Sequence, residues 1–170
     1  MGVVSENENY EDECFLLGHN LPGDNFRNCN FNGANFRGIK IAGKFENCDF
    51  YGADFDGCNM KYAGFEGCSF RKADFVDTNL EVVTLFKCNF ESADFNSAIL
   101  DYATIAQCNF HDACMKNVSA RKICGELAIE NVPLCGMRLS GTKWHASSAT
   151  YGEKQVTGYH QTKASIEKLI

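Results

Sequence analysis

From residue 48 to residue 115 a large apolar residue falls at every multiple of five. The centres are Phe50, Phe55, Met60, Phe65, Phe70, Phe75, Leu80, Leu85, Phe90, Phe95, Leu100, Ile105, Phe110 and Met115. A small residue, mostly Ala or Cys, stands two places before each centre, and a mostly polar one stands between them. A period of five matches neither the 3.6 residues of a helix nor the two-residue alternation of a strand. Repetition at a fixed period predicts stacked repeats.

A longer period lies over the short one. Cys48, Cys68, Cys88 and Cys108 recur every twenty residues, and so do Ala53, Ala73, Ala93 and Ala113. Four fives therefore close one turn of a four-sided coil, and each turn lies on the previous one at the strand spacing of roughly 4.8 Å. Small and large positions both point inward. One coil cannot bury them alone, so stacking creates the core. Two inner columns stand out: Cys29, Cys48, Cys68, Cys88 and Cys108, and the all-aromatic Phe31, Phe50, Phe70, Phe90 and Phe110.

The ends and irregularities are also legible. Phe26, Phe31, Phe36 and Ile41 form a first good coil, but the next centre, Phe45, follows after four residues. One residue has been dropped, and the spacing places the loss at a corner near Ala42 and Gly43. Residues 1–23 read as an N-terminal cap or imperfect first turn with a mobile tip. The rhythm lapses at 116–126, where Ala120 is small for a centre, and an irregular corner or loop is expected there. The fives resume at Ile129, Leu134, Leu139 and Trp144, one last coil. Residues 24–144 thus form the repeat domain. Residues 145–170 form a tail: a Ser-, Thr- and Gly-rich loop over 146–158, then a short helix at 162–170 whose apolar face would cap the tube or pair with a second copy to make a homodimer.

Composition narrows the chemistry. A chain of 170 residues makes one domain. No apolar run approaches the roughly 18 residues of a membrane span. The polar, acidic first residues are not a secretory signal, so a cytoplasmic location is expected. The 10 Cys include a five-membered inward column, where Cys serves as a small apolar filler. Parallel stacked side chains are poorly placed for disulfides, and no ligand pair has zinc spacing, so neither metal nor cofactor is expected. His19, His111, His145 and His160 are scattered. No nucleophile elbow, phosphate loop or metalloprotease motif occurs, so the chain is read as non-enzymatic.

Charge is uneven. The total is −6, yet residues 49–101 hold ten acids against four bases, whereas residues 102–170 hold five against eight. Asp54, Asp74 and Asp94, each one before a centre, form a vertical ladder on one side, and Glu46 and Glu66 form a shorter one on another. Stacked like charges repel unless compensated. Two readings stand: the Asp residues hydrogen-bond the corner backbone, or they present a charged face to a partner.

Cys-Asn-Phe and Ala-Asp-Phe triplets at five-residue spacing resemble the pentapeptide-repeat family, whose common form is A(D/N)LXX. The resemblance is close over residues 24–115 and loose over 127–144. It implies an all-β fold, a right-handed quadrilateral β-helix. Within the family the chain is similar to the Qnr-type quinolone-resistance group, acidic rods about as wide as duplex DNA. That similarity implies a DNA mimic that binds a type II topoisomerase, DNA gyrase, and inhibits or protects it. Asp54, Asp74, Asp94, Glu46 and Glu66 would then be the contact residues, with no direct binding of nucleic acid or membrane. Topoisomerase-binding members carry projecting loops at breaks such as 116–126. This chain is shorter than they are and lacks a clear long loop. The other reading is a rigid protein–protein interaction scaffold with a partner the sequence does not name.

Overall fold

The computed structural model describes residues 4–14, 25–125, 127–133, 138, 144–151 and 154–160. The sides of the coil are short because each corner takes up two of every five residues. The first side alone is long enough to form regular strands: β1 (Val4–Glu6), β2 (Asn25–Arg27), β3 (Lys44–Glu46), β4 (Gly64–Glu66), β5 (Thr84–Phe86), β6 (Thr104–Ala106) and β7 (Cys124–Gly125). They pair in chain order as one parallel seven-stranded sheet. Single parallel bridges stack the other three sides, for example Asn30 to Asp49 to Ser69 on the second, Asn35 to Asp54 to Asp74 on the third and Lys40 to Asn59 to Asn79 on the fourth. The result is the four-sided β-helix, all-β throughout its described residues.

The repeat unit follows from three local requirements. The corner must turn the chain through about a right angle, and in every described coil corner but the shortened one at Ala42–Gly43 it does so with a left-handed residue two places after the centre. Gly33, Gly52, Gly57 and Gly67 fill that place in some coils, and Asn28, Asn47, Asp77 and Ser92 in others, at φ of 52–67°. On the second, third and fourth sides a bond closes the corner, as when the Cys58 N–H donates to the Phe55 carbonyl at 2.9 Å. This is the bond and the third-residue φ of a type II turn. The Asp or Asn before a centre fixes the approach to that corner, because its Oδ1 accepts the N–H two residues on. Asn35 does this for Arg37 at 3.0 Å, Asp74 for Val76 at 2.9 Å and Asn89 for Glu91 at 3.0 Å.

The third requirement is a filled axis. Phe31, Phe50, Phe70, Phe90 and Phe110 are buried in one column, with ring centroids 4.8–4.9 Å apart and ring planes within 8° of parallel. Phe36, Phe55, Phe75 and Phe95 repeat this on the third side. Rings on adjacent sides meet edge to face or tilted, as Phe65 and Phe70 do at 79°. Ala34, Ala53, Ala73, Ala93 and Ala113 pack beside them, all buried. The fourth side carries Ile41, Met60, Leu80 and Leu100.

The dropped residue lies where the spacing located it. Lys40 bridges Asn59, a step of nineteen, whereas Lys44 pairs with Gly64, a step of twenty. Ala42 and Gly43 thus span a corner that takes three residues, 61 to 63, in the next coil.

Residues 4–14 form a coil: β1 pairs with β2, and Tyr10 stacks on Phe31 at 4.7 Å. Backbone pairing holds this coil although Ser5 occupies a centre. Residues 116–123 continue the repeat rather than break it. Val118 and Ala120 are fully buried, and Ser119 bridges both Ile99 and Arg138. A small centre is tolerated there because the column needs only a filler, and Ala120 tapers it below Leu100. The register ends later, at Gly125 (φ 109°), which stands in a centre position opposite Ile105. A Cβ at that glycine would meet the Ile105 carbonyl oxygen at 2.1 Å.

Beyond Gly125 the described residues of the expected last coil, Ile129 and Trp144, lie in longer strands rather than in sides of five, while Leu134 and Leu139 lie outside the described residues. Instead β8 (Leu127–Pro133), β9 (Trp144–Tyr151) and β10 (Lys154–His160) make a second, three-stranded sheet. Leu127 pairs with Trp144, a step of seventeen residues, too short for four fives. The 146–158 stretch read as a loop therefore contributes two strands, antiparallel to each other. The helix expected at 162–170 lies outside the described residues.

Two predictions follow from this packing. Phe70 stacks on Phe50 and Phe90 and meets Phe55, Phe65 and Phe75 at its edges. Phe70→Ala should lower stability by about 3–5 kcal/mol, the range for an emptied aromatic site, measured by denaturant unfolding. Val82 holds φ 59° at a corner while 37 % exposed. A β-branched residue there is strained by about 1–2 kcal/mol. Val82→Asn should raise the melting temperature, and a fall would show that the side chain's packing outweighs that strain.

Candidate functional site

The outer surface is where a tube filled with apolar side chains can do chemistry. On the third side Asp54, Asp74 and Asp94 stand directly over one another through parallel bridges. Each uses Oδ1 to accept a corner N–H, at 3.0, 2.9 and 2.8 Å respectively. The structural role of these residues is therefore real. It occupies one carboxylate oxygen and leaves the other outward. Asp54 shows what that second oxygen can do, because its Oδ2 accepts from the Arg37 guanidinium at 3.1 Å. Arg37 also pairs with Asp56, one coil on.

Arg37 compensates only the N-terminal end of the ladder. Asp74, Asp77 and Asp94 have no ion pair among the described residues, and the Cys114 thiol lies beside Asp94. Partial burial pushes the Asp74 carboxyl above the usual carboxylate range, and the neighbouring Asp54 and Asp94 add to this against the Val76 hydrogen bond. On the first side the two glutamates separate. Glu46 accepts from Arg27 at 2.8 Å, whereas Glu66 is exposed without an ion pair among the described residues. The structure thus splits the five candidate contact residues into three on the third side and two on the opposite first side.

Other charges pair from coil to coil, Lys61 with Glu81 at 2.7 Å and Arg71 with Glu91 at 3.3 Å. Such exposed pairs contribute about 0–1 kcal/mol each. One pair differs, and sequence reading missed it. Asp101 is buried, with its side chain 4 % exposed. Its Oδ1 accepts from Ser119 Oγ at 2.8 Å and the Arg121 N–H at 2.9 Å, and its Oδ2 accepts from Arg121 Nε at 2.8 Å and from the outer guanidinium nitrogen. Burial alone would push this carboxyl up, but the Arg121 and Ser119 bonds hold it below its ordinary value. The signal in sequence was faint: an Asp just after a centre, twenty residues before an Arg.

The inner cysteines are packed as fillers of the tube. Cys29, Cys48, Cys58, Cys68 and Cys88 are buried, and every described cysteine is a free thiol. Cys108, at the last coil of its column, is only partly buried, short of the full burial expected. Burial pushes the Cys58 thiol up to about 12, and its Sγ donates to the Ile39 carbonyl at 3.1 Å. Cys68 is pushed up by the neighbouring Cys48 and Cys88 thiols and by burial. Among the described residues no group of His, Cys, Asp or Glu could hold a metal ion, and no helix is long and apolar enough to cross a membrane.

Comparison with known proteins agrees with this architecture. A model described as pentapeptide repeat region matches residues 42–114, and one described as pentapeptide repeats (8 copies) matches residues 13–42. The chain belongs to the pentapeptide-repeat family. Among solved structures it is similar to HetL, a pentapeptide repeat protein involved in heterocyst differentiation regulation from the cyanobacterium Nostoc sp. That likeness has 17% identity and a TM-score of 0.53, covering 81% of this chain and 65% of HetL. The chain therefore spans less than two thirds of HetL's length. QnrB1, a plasmid-mediated fluoroquinolone resistance protein, matches at 21% identity and a TM-score of 0.34, over 89% of this chain and 80% of QnrB1. A pentapeptide repeat protein from the Arabidopsis thaliana thylakoid lumen matches at 23% identity and a TM-score of 0.28, over 62% of this chain and 67% of the other. No curated protein matches.

The Asp101 cluster yields a pH prediction. A carboxyl held below its unfolded value stabilises the fold above that value, and the contribution is lost as pH falls through the folded one. Arg121→Ala should therefore destabilise the protein at neutral pH by about 1–3 kcal/mol, leaving a buried carboxylate short of partners. The difference from the parent should shrink as pH drops below roughly 3.9, the ordinary Asp value. Paired urea titrations at pH 7 and at the lowest pH where both fold would check it.

Proposed function

We propose that this protein is a non-catalytic binding rod that offers the third side of its β-helix to a basic surface on a protein partner, in the manner of a DNA mimic. The observation that carries the reading is the ladder of Asp54, Asp74 and Asp94. Each carboxylate keeps one oxygen outward, and no cation covers Asp74, Asp77 or Asp94 among the described residues. The partner class is a type II topoisomerase, DNA gyrase, which the resemblance to the Qnr-type quinolone-resistance group implies. Binding would inhibit or protect the enzyme. Like charges one coil apart are unfavourable in the free rod, and Asp54 and Asp94 add to the burial that raises the Asp74 carboxyl. A basic groove would relieve that repulsion on docking, and salt would weaken the contact.

Changing all three ladder residues to Asn tests the reading cleanly. Asn already performs the corner hydrogen bond elsewhere in this chain, at Asn35, Asn59, Asn79, Asn89 and Asn109. The triple variant should fold with an unchanged or slightly higher melting temperature at neutral pH. A carboxyl with a raised folded value penalises the fold only when ionised, so this advantage should vanish in acid, below the ordinary carboxylate range. In a gyrase supercoiling assay the parent should inhibit, or protect against quinolone. The variant should be at least about tenfold weaker, the loss of about 1.4 kcal/mol. A parent without effect, or a folded variant as active as the parent, overturns the proposal.

A further inference from the structure

Gly64 is a glycine that its backbone does not require. It lies in β4, outside the left-handed corners where most of the described glycines sit. A Cβ built on it would meet only the Lys44 Cγ, at 3.7 Å, an ordinary contact. In the aligned strands the same position is Lys44, then Thr84 and Thr104. A side chain would therefore fit, and a β-branched one would favour the strand. A strand glycine with no conformational reason marks close approach by something else.

Gly64 lines an open notch of about 370 Å³ on the first side. Tyr62 and Phe86 line it too, together with Glu46, Glu66 and Lys44. Tyr62 is 67 % exposed and holds φ 70° at a corner. Above it on the same edge Val82 and Tyr102 are also exposed and also left-handed. Bulky residues are rare in that conformation. Here they build an exposed apolar stripe beside the notch, and both strain and exposed apolar area point to contact surfaces.

We infer that the Gly64 notch receives an arginine side chain from a protein partner. The chemistry of the lining selects it. Lys61 Nζ lies 5.2 Å from the Tyr62 ring centre and Lys87 Nζ 4.9 Å from that of Phe86, so both rings already accept cations. Neither lysine lines the notch, and Tyr62 is well exposed. The lining acids outnumber the single lining base, Lys44. Glu46 is committed to Arg27, while Glu66 has no ion pair among the described residues. A guanidinium can stack on an aromatic face and pair with a carboxylate in its own plane, which a compact ammonium cannot do. The notch faces away from the acidic ladder across the tube, so this inference stands or falls independently of that face.

The test is an amide-resolved NMR titration of the full chain with N-acetyl-arginine-amide, run beside the lysine and leucine analogues. Saturable shifts at Gly64, Glu66 and Thr84 are expected at concentrations on the order of millimolar for so small a probe, with both analogues weaker. Gly64→Thr continues the Thr84–Thr104 column, so it should fold at least as stably as the parent and lose the response. Glu66→Gln should weaken it about two- to fivefold, the range of an exposed charge pair. The triple Asn variant of the ladder should respond like the parent. Absence of saturable shifts, an undiminished response in folded Gly64→Thr, or equal binding of the leucine analogue would overturn the inference.

Discussion

Axial stacking of core side chains at the strand repeat is the constraint on which everything else depends. Phenylalanine rings one coil apart sit 4.7–5.0 Å centre to centre, matching the roughly 4.8 Å that backbone hydrogen bonds impose between neighbouring strands. The ladder of bonds and the column of rings therefore agree, and neither has to give way. Agreement of this kind demands that each side begin at the same angle. That demand explains the left-handed residue at the regular corners and the Asp or Asn that fixes the approach to many of them. Where the corner residue is Tyr or Val rather than Gly or Asn, the demand is met at the expense of local strain.

The same repeat governs the surface. Any outward side chain meets its counterpart one coil away, so charges are organised as vertical series rather than scattered. The chain uses this mostly to pair opposites, Arg27 with Glu46, Lys61 with Glu81 and Arg71 with Glu91. The third side departs from that habit. Its aspartates are selected by the corner hydrogen bond, which Asn satisfies equally well, yet three coils in succession carry the charged form. Repulsion accepted without a structural return is the physical reason to regard that face as a surface for a partner. Asp101 shows the opposite solution: a carboxylate taken inside and surrounded with donors.

A stacked tube must also end, because an open coil exposes both apolar core and unpaired backbone groups. At the N-terminal end a coil with few large centres, 4–14, lies over Phe26 and Phe31 and is held by backbone pairing and by Tyr10. Toward the other end the centres shrink, from Leu100 to Ala120 and from Ile105 to Gly125, before the chain changes from short sides to the long strands β8, β9 and β10. The taper reads in sequence as loss of the pattern. In three dimensions it is the pattern with smaller fillers.

Periodicity alone determined the interior of this protein. A five-residue rhythm of small and large residues, returning every twenty, specifies which side chains face inward, which columns they join and where one residue was dropped, since any other placement would leave them in water. Periodicity says little about the outside, where a polar residue is acceptable whatever its neighbour. Only the folded coils decided that Arg37 neutralises Asp54 while Asp74 has no ion pair among the described residues, and that Asp101 is buried against Arg121. The Gly64 notch likewise appears only when Lys44, Gly64 and Thr84 are laid side by side, because what makes that glycine unusual is the contact it leaves unmade twenty residues away.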